Sequence, residues 1–482
     1  MADRPKNLIV LCSDEMRGDC LGCLGNPDIR TPHLDAFADR AVLFERHYTN
    51  HGKCVPARIA MMTGRYSHTD GFRNIHQHLP PGEPDVLLKL KERGYQSAVF
   101  GKNHCWEEMF EGYVDHHSWD EVYKPFFDGW EEKKKESRNV PEPRDLEGTY
   151  DRRGCARVFP DEIYAQQAID YLTERRDRSR PFFLQVNIEK PHPRYAVEEP
   201  WFSMYDRDEI EAFPHGLPEN APLPLVKQRE IRTGPDIDDE KLREVQAVYY
   251  GMVSKVDHLM GRMLETIEDE GLLENSIVMF WVDHGDFAGQ YGLVEKWDTV
   301  MQDCIMRVPL IMHAPGLPRG VRVESLTEHV DLCPTLLELL GIEGEWGIHG
   351  ASLLPVVRGE RRKEAVFADG GHEKDMRDRV NTNTHKEVGN RRIRRGSGKQ
   401  QTYVECPDTM ARTKMVRTDR WKMIVRETGG NELYDMKADR WEMHNLWGRE
   451  DLNQVVLDLQ EKMIQWCLRT DTDRPYQPEV GA

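Results

Sequence analysis

The chain has 482 residues, of which 39% are hydrophobic and 31% are charged, a composition typical of a soluble globular protein long enough for two domains. Its formal net charge of −18 excludes a general nucleic-acid binder, because phosphate contacts require a basic surface. The start MADRPKNLIVLCSDE lacks a signal-peptide pattern, and no run approaches the roughly 18 apolar residues of a membrane span. We therefore expect a cytoplasmic protein with no membrane partner. Ten cysteines are too few for a dense disulfide framework in a chain of this length, so we expect most of them to be free thiols.

Four apolar runs predict buried strands, and polar residues follow each of them directly. The runs are NLIVLCSDE, YQSAVFGKNH, PFFLQVNIEKPH and SIVMFWVDHGD. Continuous hydrophobicity, rather than alternation, is typical of strands covered on both faces. Between them, LDAFADRAVLFERHY and LREVQAVYYGMVSKVDHLMGRMLETIEDEG predict helices. Strands that alternate with helices predict the α/β class, with buried parallel strands sandwiched by helices.

The pattern changes near residue 360, after the predicted helix HVDLCPTLLELLGI. Short strand candidates (AVFADG, KMVRTDRWKMIVRE, NELYDM) and a final helix, LNQVVLDLQEKMIQWCLRT, predict a smaller α+β domain. We therefore place an N-terminal domain at 1–358, and a C-terminal subdomain with a small antiparallel sheet and a terminal helix at 359–482. The polar stretch at 371–400 lacks periodicity and predicts a long loop.

The polar ends of the predicted strands indicate one active site, because ligands in α/β folds bind beyond the carboxyl ends of the strands. Asp14 and Glu15 end the first run, and Asp283 and His284 end the fourth. Three carboxylates and one imidazole favour Ca²⁺ or Mg²⁺ over zinc, because hard cations prefer oxygen ligands. The alternative is that SDEMRGD is only a charged loop.

Cationic side chains follow the second and third runs and the acidic cluster. A lone histidine in a loop is more often a surface residue than a catalyst. Two lysines and two histidines beside the predicted metal ligands would instead give an anionic substrate the positive field that the acidic chain lacks elsewhere. These residues are Lys102, His104, His192 and Lys296.

The stretch HGKCVPARIAMMTGR places Cys54 directly before a predicted helix that ends at Gly64. Pro56 suits the first helical turn, so Cys54 is expected at the helix N-terminus, where unpaired N–H groups favour an anion. Arg58 lies one turn further on and faces the same side. From the residues alone, a thiol nucleophile, a metal ligand and a packing cysteine all remain open. A thiolate would need an activating base, and a packing cysteine would need no arginine.

Several segments together resemble one family. CVPAR, continued by IAMMTGR, resembles the C-x-P-x-R…T-G-R signature of the type I, formylglycine-dependent sulfatases of the alkaline phosphatase superfamily. SDEMRGDCLGCLGN looks like the family's N-terminal metal motif, and GKNH, KPHPRY, DHGDFAGQYGLVEKW and NELYDMKADRWEMHNL resemble its later blocks, in order. The resemblance covers nearly the whole chain and implies an alkaline phosphatase-like fold, with a large mixed, mostly parallel sheet sandwiched by helices. Glu15 departs from the pattern, since most members have aspartate there, and His284 replaces the asparagine of some members.

The resemblance implies that a formylglycine-generating maturase oxidises Cys54 to formylglycine, an aldehyde held as its hydrate. One hydroxyl of the hydrate attacks the sulfur of a sulfate ester, and the alcohol leaves. The second hydroxyl then loses its proton, its oxygen reforms the carbonyl, and sulfate is expelled. Serine has no second hydroxyl, so its covalent adduct could not break down in this way.

The family motifs also imply a role for each candidate residue. The ligands of Ca²⁺, with Mg²⁺ or Mn²⁺ as alternatives, would be Asp14, Glu15, Cys54, Asp283 and His284. Arg58 and Lys102 would orient the formylglycine, and His104 would take the proton from its second hydroxyl. His192 and Lys296 would contact the sulfate, with His192 as the proton donor to the leaving oxygen.

The sequence thus predicts an arylsulfatase-type sulfuric ester hydrolase acting on a sulfated saccharide or a small alkyl or aryl sulfate. A phosphonate monoester or phosphodiester hydrolase of the same superfamily is the alternative, although Lys102 and His104 in GKNH favour sulfate. A non-catalytic sulfoglycan-binding protein with unmodified Cys54 is a third hypothesis. We expect the pocket rim to come from 106–160, with Trp106, Trp119 and Trp130, and from the 371–400 loop. The tail RPYQPEVGA is compatible with a homo-oligomer.

Overall fold

The computed structural model describes residues 6–106, 113–118, 160–234, 237–374, 377 and 398–471. They form a large mixed sheet covered by helices and a small antiparallel sheet near the C-terminus, which confirms the predicted fold class. Trp119, Trp130, most of the 371–400 loop and the tail lie outside the described residues. In the described part of the chain, no helix combines the length and hydropathy needed to cross a membrane.

The large sheet has eight strands in the order β4-β3-β5-β1-β6-β7-β2-β8. In chain order these are Asn7–Asp14 (β1), Val42–Tyr48 (β2), Gln96–Gly101 (β3), His116–His117 (β4), Phe182–Pro191 (β5), Ser276–Val282 (β6), Arg307–His313 (β7) and Val321–Glu328 (β8). The central strand β1 pairs in parallel with β5 and β6, and β7 is antiparallel to both of its neighbours. All eight residues of β1 are buried, as its unbroken apolar run predicts.

Helices cover both faces of this sheet and continue into the C-terminal part. They are Pro32–Ala38 (α1), Cys54–Thr63 (α2), Ser67–Asp70 (α3), Val86–Glu92 (α4), Asp161–Asp170 (α5), Leu223–Gln228 (α6), Asp239–Asp269 (α7), Asp303–Met306 (α8), Leu332–Leu340 (α9), Leu354–Val357 (α10), Gly398–Glu405 (α11) and Asn453–Thr470 (α12).

Side chains of β1 alternate between two hydrophobic cores. Ile9 and Leu11 join the core beneath α1, α5 and α7, whereas Leu8 and Val10 join the core beneath α2, α4 and α9. This alternation follows from the two-residue period of a strand. The sheet is therefore the middle layer of three, as predicted.

One predicted helix is wrong in its second half. The run LDAFADRAVLFERHY predicts a single helix, but α1 ends at Ala38 and residues Val42–Tyr48 form strand β2. This strand pairs with β7 on one side and β8 on the other. These seven residues begin with three apolar positions, a pattern that fits the period of a helix as well as that of a strand. Pairing with the distant strands β7 and β8 therefore decides that the segment is a strand.

The small sheet has the antiparallel order β12-β11-β10-β9, formed by Ala365–Gly370 (β9), Thr413–Thr418 (β10), Trp421–Arg426 (β11) and Glu432–Asp435 (β12). The terminal helix α12 packs against it through Trp466, whose ring stacks on Phe367 at 5.1 Å. Buried residues of the small sheet also contact the loop after β6, including Trp297 and Met301. The C-terminal sheet thus lies beside the edge of the large sheet where the strand ends converge.

Candidate active site

The carboxyl ends of β1, β3, β5 and β6 meet at one edge of the large sheet, because these strands run parallel and adjacent. Helix α2 begins at the same edge with Cys54, which is 3% exposed. Gly64 ends the helix in the left-handed region at φ 70°, as its C-cap position predicts. The ten residues predicted as catalytic or metal-ligating groups all come from these strand ends, from α2 or from the loop after β6.

Arg58 joins the two acidic strand ends. Its guanidinium donates to Oδ2 of Asp283 at 3.0 Å and to Oδ2 of Asp14 at 3.1 Å. It also donates to Oδ1 of Asn187 at 2.7 Å and to the carbonyl of Lys102 at 3.2 Å. Arg58 and both carboxylates are buried, so these are charge-assisted bonds in a low-dielectric environment. Arg58 thus fixes the spacing of the two acids beside Cys54.

Lys102 and His104 follow β3, and they approach Cys54 from that side. The Lys102 ammonium lies 2.8 Å from Oδ2 of Asp14. Burial opposes ionisation of the Cys54 thiol, but the charge of Lys102 and hydrogen bonds from His104 and His284 lower its pKa well below the usual range. A nucleophile at this position therefore lies in a positive local field, although the whole chain is acidic.

Glu15 lies at the centre of a second set of contacts. Its carboxylate forms an ion pair with Lys296, and its Oε2 lies 3.4 Å from Nε2 of His192. Burial opposes the charge of Lys296, but the Glu15 carboxylate holds the pKa of this ammonium well above its usual range. Burial and the cations Lys102 and Lys296 lower the pKa of His192 well below that of an ordinary histidine. The positive edge of the site therefore consists of lysines, with His192 neutral in the absence of an anion.

The donor set fits a hard divalent cation. One ligand atom from each of Asp14, Cys54, Asp283 and His284 lies within 4.8 Å of the others. Nδ1 of His284 contacts the Gly285 carbonyl at 3.0 Å, which leaves Nε2 at 4.0 Å from Oδ1 of Asp14 and 3.9 Å from Oδ1 of Asp283. Oδ1 of Asp14 is buried and has no hydrogen-bond partner among the described residues. Two carboxylates, one of them with an unpaired oxygen, and an imidazole around one point are ligands that suit Ca²⁺ or Mg²⁺.

Glu15 belongs to a second candidate group, with Asp14 and His192, whose ligand atoms also lie within 4.8 Å of one another. Its Oε1 is buried without a hydrogen-bond partner in the described part of the chain. The longer side chain places its carboxylate between the metal ligands and Lys296. Glu15 thus lies beside Asp14 and His192, at the border of the group that surrounds Cys54 and not within it.

Three buried residues at the site were not singled out in the sequence. Asn187, in β5, accepts a hydrogen bond from Arg58. Tyr195 and Asp286 are joined by a hydrogen bond of 2.6 Å from the tyrosine hydroxyl to the carboxylate. Tyr195 lies in KPHPRY and Asp286 in DHGD, so the motifs contained the signal, but only tertiary contacts reveal these roles.

Trp106 was predicted to line the rim of the pocket, and this prediction is wrong. Its side chain is 3% exposed, and its indole N–H donates to the buried carboxylate of Asp85. It packs in the core beneath α2, α4 and α9. A large ring with one polar atom satisfies that atom and buries the rest, so Trp106 is a packing residue.

Comparisons with known proteins agree with this geometry. The model of the family described as Sulfatase matches residues 6–342. An N-acetylglucosamine-6-O-sulfatase of Bacteroides thetaiotaomicron is 24% identical over an alignment that covers 98% of this chain and 88% of that protein. A choline-sulfatase of Rhizobium meliloti is 25% identical, with 91% of this chain and 82% of that protein covered.

Among solved structures, a phosphonate monoester hydrolase of Agrobacterium radiobacter superposes with a TM-score of 0.74. The two chains are 21% identical, and the match covers 97% of this chain and 96% of the other. At this level of identity the match concerns the fold alone. It agrees with the predicted alkaline phosphatase-like architecture.

Proposed function

The chain belongs to the sulfatase family, and we propose that its active centre is completed by oxidation of Cys54 to formylglycine and by one divalent cation, Ca²⁺. The protein is a hydrolase of sulfuric esters. The observation that supports the proposed centre is the buried convergence of Cys54 with Asp14, Asp283 and His284 around one point. A cysteine that only packs in a core would need neither these ligands nor the arginine one turn away.

We propose Asp14, Glu15, Asp283, His284 and the modified residue 54 as the ligands of the ion. Bound there, Ca²⁺ would supply Lewis-acid polarisation and neutralise charge on the sulfate oxygens. The buried side chains of Asp14 and Asp283 each give Oδ2 to Arg58. Oδ1 of Asp14 has no hydrogen-bond partner among the described residues, whereas Oδ1 of Asp283 accepts from the backbone N–H groups of Glu15 and His284. Mg²⁺ and Mn²⁺ are the alternatives, since they take the same oxygen ligands.

The hydrate of formylglycine supplies one hydroxyl as the nucleophile and a second whose deprotonation releases sulfate. Lys102 lies beside Cys54 and Asp14, where its charge orients this group and favours its ionised form. His104 contacts the same side chain and is positioned to accept the proton of the second hydroxyl. Lys296 and His192 lie together beside Glu15 and present N–H donors to the sulfate oxygens and the leaving oxygen.

The substrate class is proposed from the relatives. One is named for the 6-O-sulfate of N-acetylglucosamine and another for choline sulfate, which are a saccharide and an alkyl sulfate ester. We therefore propose a sulfated saccharide or a small alkyl or aryl sulfate as the substrate. The phosphonate hydrolase alternative fits less well, since it rests on likeness of fold to a protein 21% identical in sequence.

Side-by-side turnover of 4-nitrophenyl sulfate and a phenyl phosphonate tests this function. The protein should be produced together with a formylglycine-generating maturase, with Cys54→Ala as the control. We expect the sulfate to be cleaved faster, release of inorganic sulfate, and no turnover by the variant. Preference for the phosphonate would overturn the substrate assignment, and full activity of Cys54→Ala would overturn the proposed nucleophile. A peptide mass for the Cys54 segment then reports the oxidation directly.

A further inference from the structure

Two buried tyrosines, Tyr195 and Tyr249, connect the segments that carry the charged groups of the site. Both are 0% exposed, and their rings pack edge to face at 6.1 Å. The Tyr195 hydroxyl donates to Oδ1 of Asp286 at 2.6 Å and accepts from the backbone N–H of Glu295 at 2.6 Å. The Tyr249 hydroxyl donates to the backbone carbonyl of Glu15 at 2.8 Å and accepts from the N–H of Arg17 at 3.0 Å. Each hydroxyl therefore uses both its donor and an acceptor position.

Two of the three backbone groups held by these hydroxyls belong to residues with an unusual backbone conformation. Glu15 has φ 67° and Glu295 has φ 63°, in the left-handed region that is disfavoured for residues with a Cβ. Such conformations persist only where surrounding contacts hold them, and they concentrate at functional sites.

The two held residues lie on opposite sides of one ion pair. Glu15 contributes the carboxylate, and Glu295 directly precedes Lys296, which contributes the ammonium. The carboxylate of Asp286, to which Tyr195 donates, also accepts from the N–H of Ala288 at 2.6 Å within the loop after β6. Movement of the Tyr249 hydroxyl would therefore displace Glu15, and movement of the Tyr195 hydroxyl would displace Lys296.

We propose that Tyr195 and Tyr249 are paired positioning residues: Tyr195 sets the place of Lys296 against the sulfate, and Tyr249 sets the place of Glu15 against the cation. The inference rests on the proposed function, because it assigns a ligand to each of the two held groups. Neither tyrosine touches the reacting atoms. Each acts through one backbone segment, so loss of one hydroxyl should impair one ligand more than the other.

The test uses Tyr195→Phe and Tyr249→Phe, which keep the ring and remove the hydroxyl. Tyr171→Phe is the matched control, because Tyr171 is equally buried and its hydroxyl has no hydrogen-bond partner among the described residues. Two quantities are measured on the full chain. The first is the inhibition constant of inorganic sulfate; it is obtained from the same kinetic measurements as KM and kcat for 4-nitrophenyl sulfate. The other is the Ca²⁺ concentration that gives half of the rise in thermal midpoint, measured on unmatured protein without substrate.

We expect Tyr195→Phe to raise KM and the sulfate inhibition constant about three- to tenfold, the effect of one lost hydrogen bond, with a smaller change in kcat. Tyr249→Phe should raise the half-saturating Ca²⁺ concentration by a similar factor and alter sulfate inhibition less. Tyr171→Phe should change neither quantity.

Equal changes in all three variants, or lower thermal midpoints with unchanged sulfate and Ca²⁺ constants, would overturn the proposal. If Tyr195→Phe does not fold, Tyr249→Phe decides alone through its Ca²⁺ constant. If the unmutated enzyme cleaves no sulfate ester, the proposed function fails, while the Ca²⁺ measurement still tests the tyrosines.

Discussion

Replacement of Arg58 by methionine tests whether one guanidinium holds the acidic centre together. Met fills much of the same volume but removes four donated hydrogen bonds, to Asp14, Asp283, Asn187 and the carbonyl of Lys102. Asp14 keeps its contact with the Lys102 ammonium, whereas Oδ2 of Asp283 loses its cationic partner. Removing one partner of a buried ion pair costs about 3–5 kcal/mol, because the remaining charge stays buried and uncompensated.

Arg58→Lys separates the loss of charge from the loss of geometry. Lysine keeps the positive charge but cannot reach both carboxylates with a planar fork, so we expect a loss of only about 1–2 kcal/mol. Arg40→Met is the surface control. Arg40 pairs with Glu268 at 2.8 Å but is 47% exposed, and exposed pairs contribute about 0–1 kcal/mol.

The assay is urea denaturation of the full chain in low salt and without divalent cations, at neutral and acidic pH. Burial opposes ionisation of Asp14, but Lys102 and Arg58 hold its pKa well below the usual range. Stability from this carboxylate is present above its unfolded pKa and is lost as pH falls towards the depressed folded pKa. The difference in free energy of unfolding between Arg58→Met and the unmutated protein should therefore become smaller at acidic pH.

Two results would refute this reasoning. One is an Arg58→Met midpoint equal to that of Arg40→Met at neutral pH. The other is a difference in free energy of unfolding between Arg58→Met and the unmutated protein that becomes larger as the pH falls.

Further predictions concern the nucleophile, the ion and the proton donor. Cys54→Ser should release at most one equivalent of alcohol per active site in a burst assay, because serine lacks the second hydroxyl; sustained turnover would contradict the proposed chemistry. Ca²⁺ at about 100 times its Kd should stabilise the protein by about 2.7 kcal/mol in thermal unfolding, and Asp283→Asn should abolish this effect; an unchanged response would place the ion elsewhere. Burial and Lys102 lower the pKa of His192. The hydrolysis rate of alkyl sulfates with poor leaving groups should therefore fall as pH rises through a pKa below that of ordinary histidine, and His192→Asn should remove this pH dependence. An identical pH profile in the variant would exclude His192 as the proton donor.

The sequence by itself determined the α/β class and the convergence of the polar residues at one sheet edge. Unbroken apolar runs require strands buried on both faces, and parallel strands bring their carboxyl ends together. Asp14, Lys102, His192 and Asp283 are therefore neighbours in space although they are far apart in the chain. The position of Cys54 at a helix N-terminus also followed from local signals, since Gly64 ends the helix and Pro56 suits its first turn.

Only the tertiary structure decided which partner each of these groups takes. The hydrogen bonds of Arg58 to Asp14 and Asp283, and those of the Tyr195 and Tyr249 hydroxyls, join residues at least 44 positions apart in the chain. The same limit explains the errors at Val42–Tyr48 and Trp106. Local periodicity did not distinguish a short strand from a continued helix, and burial of an aromatic ring depends on what packs over it.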